Sequence, residues 1–113
     1  MRVITFCATV IITQLLKAQA PPIEWQKTLG SNADDYVSTV NQTTDGGYIV
    51  CGTTYGGVGG DKTEGKKGEN DYWIIKLNAT GTVEWQNTIY GNLQESATIA
   101  IQSADGGYLV AGE

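Results

Sequence analysis

Carboxylates are the side chains best suited to binding a cation, and four of them crowd one glycine-rich stretch. Asp61, Glu64, Glu69 and Asp71 fall within eleven residues. Calcium prefers several oxygen ligands at alternate positions around a glycine kink. The run from Asp61 to Gly65 lacks that spacing, and three nearby lysines offset its charge. We therefore favour a solvated loop over a metal site, and predict no cofactor.

Catalytic groups are sparse. The chain has no histidine, which removes the commonest general base and a common metal ligand. A serine triad needs such a base within reach. A pair of carboxylates for glycoside hydrolysis stays open, since a fold can bring two acids to within about 5–10 Å, but no pair stands out. The net charge of −5 disfavours nucleic acid as a partner. We predict a protein that is not an enzyme.

Aromatic side chains are the alternative means of binding, because their faces stack on sugar rings. They also fill the space between packed sheets, where each buries about 150–250 Å². Trp25 and Tyr48 recur as Trp85 and Tyr108 at equivalent positions along the chain, which favours packing. Tyr55 and Tyr90 do not recur, and are therefore the better candidates for ligand contacts.

The strands that are expected to position these residues belong to a sequence pattern that occurs twice in the chain. Residues 23–53 match residues 83–113 at twelve of 31 positions after a shift of 60. Self-similarity at a fixed period indicates an array or a propeller. The signature residues of the pattern are Trp25, Trp85, Asp45, Gly46, Gly47, Tyr48, Asp105, Gly106, Gly107, Tyr108 and Trp73.

The pattern of each unit predicts antiparallel strands. Alternating apolar residues and β-branched runs indicate strands, and Asp45-Gly46 suits a tight type I′ hairpin. The predicted strands are Ile23–Leu29, Tyr36–Thr43, Tyr48–Thr54, Asp71–Leu77, Thr82–Ile89, Thr98–Gln102 and Tyr108–Ala111.

The fold class that follows is all-β, with four-stranded blade-like repeats of 60 residues. The first repeat spans residues 23–82 and a partial second spans 83–113, about one and a half in all. An ordinary β-sandwich with two similar halves is the alternative. A closed propeller needs four to eight blades, so we expect the chain to be part of a longer protein.

The first twenty residues have the layout of a secretory signal helix. Arg2 precedes a mostly apolar run, and Ala18-Gln19-Ala20 resembles a cleavage site. A membrane anchor is less favoured, because the run is shorter than the ~20 residues that a spanning helix needs. We expect residues 1–20 to be removed and the mature chain, without a membrane span, to be exported. Cys51 is then its single cysteine, without an intrachain partner, and a small core residue.

The pattern E-W-Q-x-T, followed by Q-x-x-D-G-G-Y-[IL]-V-x-G and N-D-Y-W-I-I-K-L-N-x-x-G, resembles a known repeat. It is similar to the seven-bladed β-propeller-type (SBBP-like) repeats of secreted and surface proteins of Bacteroidota. Many of those proteins end in a type IX secretion sorting domain. The resemblance covers Ile23 to Glu113 and implies a β-propeller-like array and an extracellular or cell-surface location.

That family implies no particular activity. Our first expectation is a non-catalytic interaction or adhesion scaffold that binds an unknown protein or glycan and packs against further repeats. The alternatives are a carbohydrate-binding module or the N-terminal, non-catalytic part of an exported hydrolase.

Overall fold

The computed structural model describes residues 19–90 and 94–113, and this part of the chain is all-β, as predicted. Residues 1–18 of the predicted signal helix lie outside the described residues. None of the described residues belongs to a helix long and apolar enough to cross a membrane. The six strands are β1 (Asp35–Gln42), β2 (Tyr48–Thr54), β3 (Asp71–Leu77), β4 (Val83–Ile89), β5 (Ala97–Gln102) and β6 (Tyr108–Gly112).

The first sheet is antiparallel, with its strands in the order β1-β2-β3-β4. β3 lies inside it and is buried on both faces. Its sequence predicts this, because apolar side chains occupy both of its faces. The second sheet is the hairpin β5-β6.

The hairpin connections differ from the predicted type I′ turn, which was wrong. That turn needs positive φ at two residues, yet only Gly46 has it, at 79°. The Gly46 N–H donates to the Thr43 carbonyl at 2.9 Å, so a β-turn is followed by one left-handed glycine. The carboxylate of Asp45 accepts a bond from the Gly47 N–H at 2.9 Å. The β5-β6 turn repeats these bonds, with Gly106 at φ 86°.

The second sheet packs on one face of the first, which we call the inner face. Ile49, Cys51 and Ile74 of the inner face form a buried cluster with Ala97 and Ala100 of β5. Cys51 is fully buried, as predicted for a core residue, and burial raises the pKa of its thiol.

Hydrogen bonds fix the stacking of the two sheets. The Asn41 side chain donates to the Ala100 carbonyl at 2.8 Å, and the Ala97 N–H donates to the Thr53 hydroxyl at 3.0 Å. Such side-chain bonds set a register between the sheets that apolar contact alone does not specify.

The opposite face of the first sheet, the open face, has no sheet on it among the described residues. Trp73, Ile75 and Leu77 of β3 form its core, with Trp25 and Leu29 packed against them. Val37 and Val40 of β1 lie 69% and 57% exposed. Cross-strand pairing puts them on this face, because Val37 is opposite Gly52 and Val40 is opposite Val50.

The predicted first strand, Ile23–Leu29, is wrong. Residues 23–29 cross the open face without joining a sheet. Trp25 and Leu29 are half-buried on the open face, but Ile23 and Lys27, which would share their side of a strand, are exposed. A strand also needs a neighbour for its backbone groups, and the described residues provide none at this position.

Candidate functional site

The long connection between β2 and β3 is held against β4 by side chains. The Gln86 amide oxygen accepts the Trp73 indole N–H at 3.0 Å, and its NH₂ donates to the Asp61 carbonyl at 2.9 Å. The Lys67 ammonium donates to the Thr88 carbonyl at 3.0 Å. Two of these bonds join the connection to β4, so it covers part of that outer strand of the first sheet.

The carboxylates of this connection bind separate backbone groups. Asp61 accepts the Gly30 N–H at 3.1 Å, and Asp71 accepts the N–H groups of Lys67 and Gly68 at 2.8 and 2.7 Å. The Glu64 carboxylate accepts the backbone N–H of Thr88. Within residues 19–90 and 94–113, no group of three or more carboxylate, cysteine or histidine side chains could hold a metal ion.

Lys62 is the buried cation of the same connection, at 1% exposure. Burial lowers the pKa of its ammonium, while the charges of Asp71 and Glu64 act in the opposite direction. Its ammonium donates to the Glu64 carbonyl at 2.5 Å. This bond stabilises the β2-β3 connection, because both of its partners belong to that connection.

Tyr55 lies at the end of the first sheet, beside a second tyrosine that sequence reasoning missed. Its ring meets Tyr36 edge to face, with centroids 6.1 Å apart, and the two rings are 41% and 60% exposed. A cavity of about 450 Å³ opens next to them. It is lined by Tyr36, Thr53, Tyr55, Asn70, Gln94, Glu95, Ser96 and Glu113.

The Asn70 side chain builds one wall of this cavity. Its NH₂ donates to the Glu95 carbonyl at 2.6 Å, and its oxygen accepts the Glu95 N–H at 3.0 Å. The two bonds imitate one step of strand pairing and tie the start of β3 to the chain ahead of β5. The cavity thus combines two exposed aromatic rings with amide and carboxylate groups.

Tyr90, the other predicted ligand residue, is placed apart from this cavity. It follows β4, is 57% exposed, and has the Lys67 ammonium 5.6 Å from the centre of its ring. The cavity does not include it. The structure therefore brings Tyr55, and not Tyr90, together with other groups suited to binding a ligand.

Lys76 forms a cluster of two ion pairs, here called the lysine clamp. Its ammonium lies 2.9 Å from the carboxylates of both Asp45 and Glu84, and it donates to the Leu77 carbonyl at 2.8 Å. Burial is the largest influence on the pKa of Lys76 and acts to lower it, but the two carboxylates outweigh it and raise that pKa. The clamp joins the β1-β2 turn to the β3-β4 hairpin.

Sequence reasoning missed this clamp, although one signal was available. Lys76 is a charged residue between Ile75 and Leu77 in a strand that is otherwise apolar. A buried lysine needs a paired carboxylate, which would have pointed to Glu84 on the next strand.

Over its described residues, the chain is all-β, with two antiparallel sheets packed face to face. Comparison with protein-family models, with curated proteins and with solved structures gave no match to this chain.

Proposed function

We propose that this chain is a segment of an exported, β-propeller-like repeat protein that acts as a non-catalytic interaction scaffold. The observation that carries the proposal is the way the two sheets stack. Ala97 and Ala100 of the second sheet, which cover the inner face, occupy the positions equivalent to Val37 and Val40 of the open face. The stacking is therefore head to tail, and it can continue in both directions.

Both ends of this short stack expose apolar side chains, although residues 23–29 cover part of the open face. Leu109 of the second sheet is 58% exposed, whereas its equivalent Ile49 is fully buried beneath β5 and β6. Ile99 and Ile101 lie on the same far face and are 37% and 38% exposed. Exposed apolar patches of this kind mark interaction surfaces. We infer that further sheets of the same type cover them, as blades do in a propeller.

Export rests on residues 1–20 and on the resemblance to SBBP-like repeats. A location outside the cell or on its surface, and the association with type IX secretion in Bacteroidota, are part of the same proposal. They are tested by fractionating cells that express the full chain and by sequencing the N-terminus of the exported form, which should begin near Pro21.

The scaffold proposal predicts reversible, head-to-tail association of the chain. Sedimentation velocity of the full chain should show a mean mass that rises with protein concentration. Val40→Asp should keep the protein monomeric, because it places a charge on the open face. Thr82→Asp, an equal change in charge at an exposed turn, is the control and should associate like the wild type. A chain that stays monomeric at all concentrations would contradict the proposal.

A carbohydrate-binding function is the second candidate, and the cavity beside Tyr36 and Tyr55 favours it. Stacking on exposed tyrosine rings combined with amide and carboxylate hydrogen bonds suits a sugar. A glycan array probed with the full chain should identify a ligand. Tyr55→Ala should then weaken binding about tenfold or more, from the loss of one stacking ring. Tyr90→Ala should leave the affinity unchanged; equal losses in both variants would exclude this cavity.

A further inference from the structure

Residues 23–29 repeat the sequence of β4 but not its pairing. Four residues are identical after the shift of 60, and in β4 they belong to a strand that pairs with β3, with a register shift at Glu84. In residues 23–29 the same four belong to no strand. The identical pairs are Glu24 with Glu84, Trp25 with Trp85, Gln26 with Gln86, and Thr28 with Thr88.

Three of these residues in β4 contact one neighbouring element. Glu84 accepts the Lys76 ammonium at 2.9 Å, and Gln86 accepts the Trp73 indole at 3.0 Å. The backbone of Thr88 is bound by side chains of the connection that precedes β3. Together these contacts recognise one strand and the loop before it, residues 59–77, which we call the strand–loop unit.

The fourth residue, the tryptophan, contacts a different sheet, and it does so in the same way in both copies. Trp85 meets Tyr108 of the second sheet edge to face, at 5.3 Å and 70°. Trp25 meets Tyr48 of the first sheet at 5.6 Å and 70°. Residues 23–29 therefore lie on the first sheet as β4 lies on the second.

The remaining three residues of this segment have no corresponding contacts. Glu24, Gln26 and Thr28 are exposed. Across residues 19–90 and 94–113, their side chains make no hydrogen bond, and no backbone–backbone hydrogen bond reaches residues 23–29. The groups that would hold a strand–loop unit are thus present, and no described residue binds them, on a segment that already lies at the position of an edge strand.

We propose that residues 23–29 form an edge strand whose partner is a second strand–loop unit, supplied by another copy of the repeated pattern. In that copy, the lysine equivalent to Lys76 would bind Glu24, and the indole N–H equivalent to that of Trp73 would bind Gln26. Antiparallel backbone hydrogen bonds would convert residues 23–29 into a strand. This inference rests on the repeat proposed above for the identity of the partner. The test below measures backbone pairing at residues 23–29 alone. This inference can therefore fail while head-to-tail association is observed, and head-to-tail association can fail while the pairing is observed.

The probe is a synthetic peptide with the sequence of residues 59–78, added to the full, isotope-labelled chain. Amide hydrogen exchange followed by NMR should show protection of residues 23–29 rising about tenfold or more. Glu24→Gln should weaken peptide binding about tenfold, which corresponds to the loss of one charged hydrogen bond. Lys27→Gln is the matched control, because Lys27 matches Asn87 and not a shared residue, and it should bind like the wild type.

A linked variant excludes weak affinity as the reason for a negative result. In it, a copy of residues 59–82 directly precedes Ile23, so that the turn found between β3 and β4 joins the unit to the segment. Protection of residues 23–29 in this variant supports the inference if it is lost when Lys76→Met is introduced into the added copy. Absence of protection in both formats would overturn it. Protection confined to β1 or β4, or equal binding of a scrambled peptide, would overturn it as well.

Discussion

At the scale of residues, the lysine clamp shows how a charged side chain is tolerated inside a sheet. Lys76 is 2% exposed, but its two carboxylate partners remain about half exposed. The carboxylates therefore stay hydrated, and the ammonium exchanges water for three charged or carbonyl acceptors. Because Asp45 also accepts bonds from Thr43 and Gly47, the clamp fixes the turn as well as the strand.

The clamp predicts a defined loss of stability in acid. The Thr43 hydroxyl, the Lys76 ammonium and the Gly47 N–H hold the pKa of Asp45 well below its ordinary value. A lowered folded-state pKa contributes stability above the unfolded pKa, and this contribution disappears as the pH falls through the folded pKa. Asp45→Asn should therefore lower the free energy of unfolding at about pH 7, with a smaller difference at about pH 3.

Asp105→Asn is the matched control for that prediction. The Ser103 hydroxyl lowers the pKa of Asp105, but among the described residues no lysine binds it. At about pH 7, Asp105→Asn should lower the free energy of unfolding by less than Asp45→Asn does. Urea unfolding at both pH values measures the two differences. Equal effects of the two substitutions would show that the turn alone, and not the clamp, accounts for the role of Asp45.

At the scale of elements, local pattern predicted most of the strands. The bounds of β2 and β3 agree with the prediction to the residue, and β1 and β5 begin one residue earlier than expected. These strands carry their own signal in apolar alternation and in Asp-Gly turns. Residues 23–29 carry the same signal but form no strand, because pairing depends on a distant neighbour. The anchoring of the β2-β3 connection was equally hidden, since Gln86 lies 23 residues or more from the groups that it binds there.

The stacking of the two sheets predicts unequal effects at equivalent positions. Ile49→Ala should destabilise the protein by about 2–4 kcal/mol, because it leaves a cavity between the sheets. Leu109→Ala, the same position in the second copy, should change the free energy of unfolding by less than about 0.5 kcal/mol, because that side chain is exposed. Urea unfolding of the two variants measures both values. A costly Leu109→Ala would contradict the exposure of the far face.

At the scale of the whole molecule, the two copies share their turns, their irregularity and their aromatic pair. The register shifts between Val37 and Thr39 in one hairpin and between Ala97 and Ile99 in the other. The candidate cavity, by contrast, could not be predicted from the sequence. Tyr36 reaches it from β1 and Asn70 from the end of the β2-β3 connection, and only the fold brings them next to Tyr55.

Head-to-tail stacking is tested most directly by urea unfolding of a chain that is lengthened by a second copy of its residues 54–113. If each unit adds strands to one sheet and covers the far face of the sheet before it, the added residues should bury Leu109. Leu109→Ala should then cost about 2–4 kcal/mol in urea unfolding, as Ile49→Ala does in the original chain. If Leu109→Ala remains neutral in the lengthened chain, the repeated units do not stack head to tail.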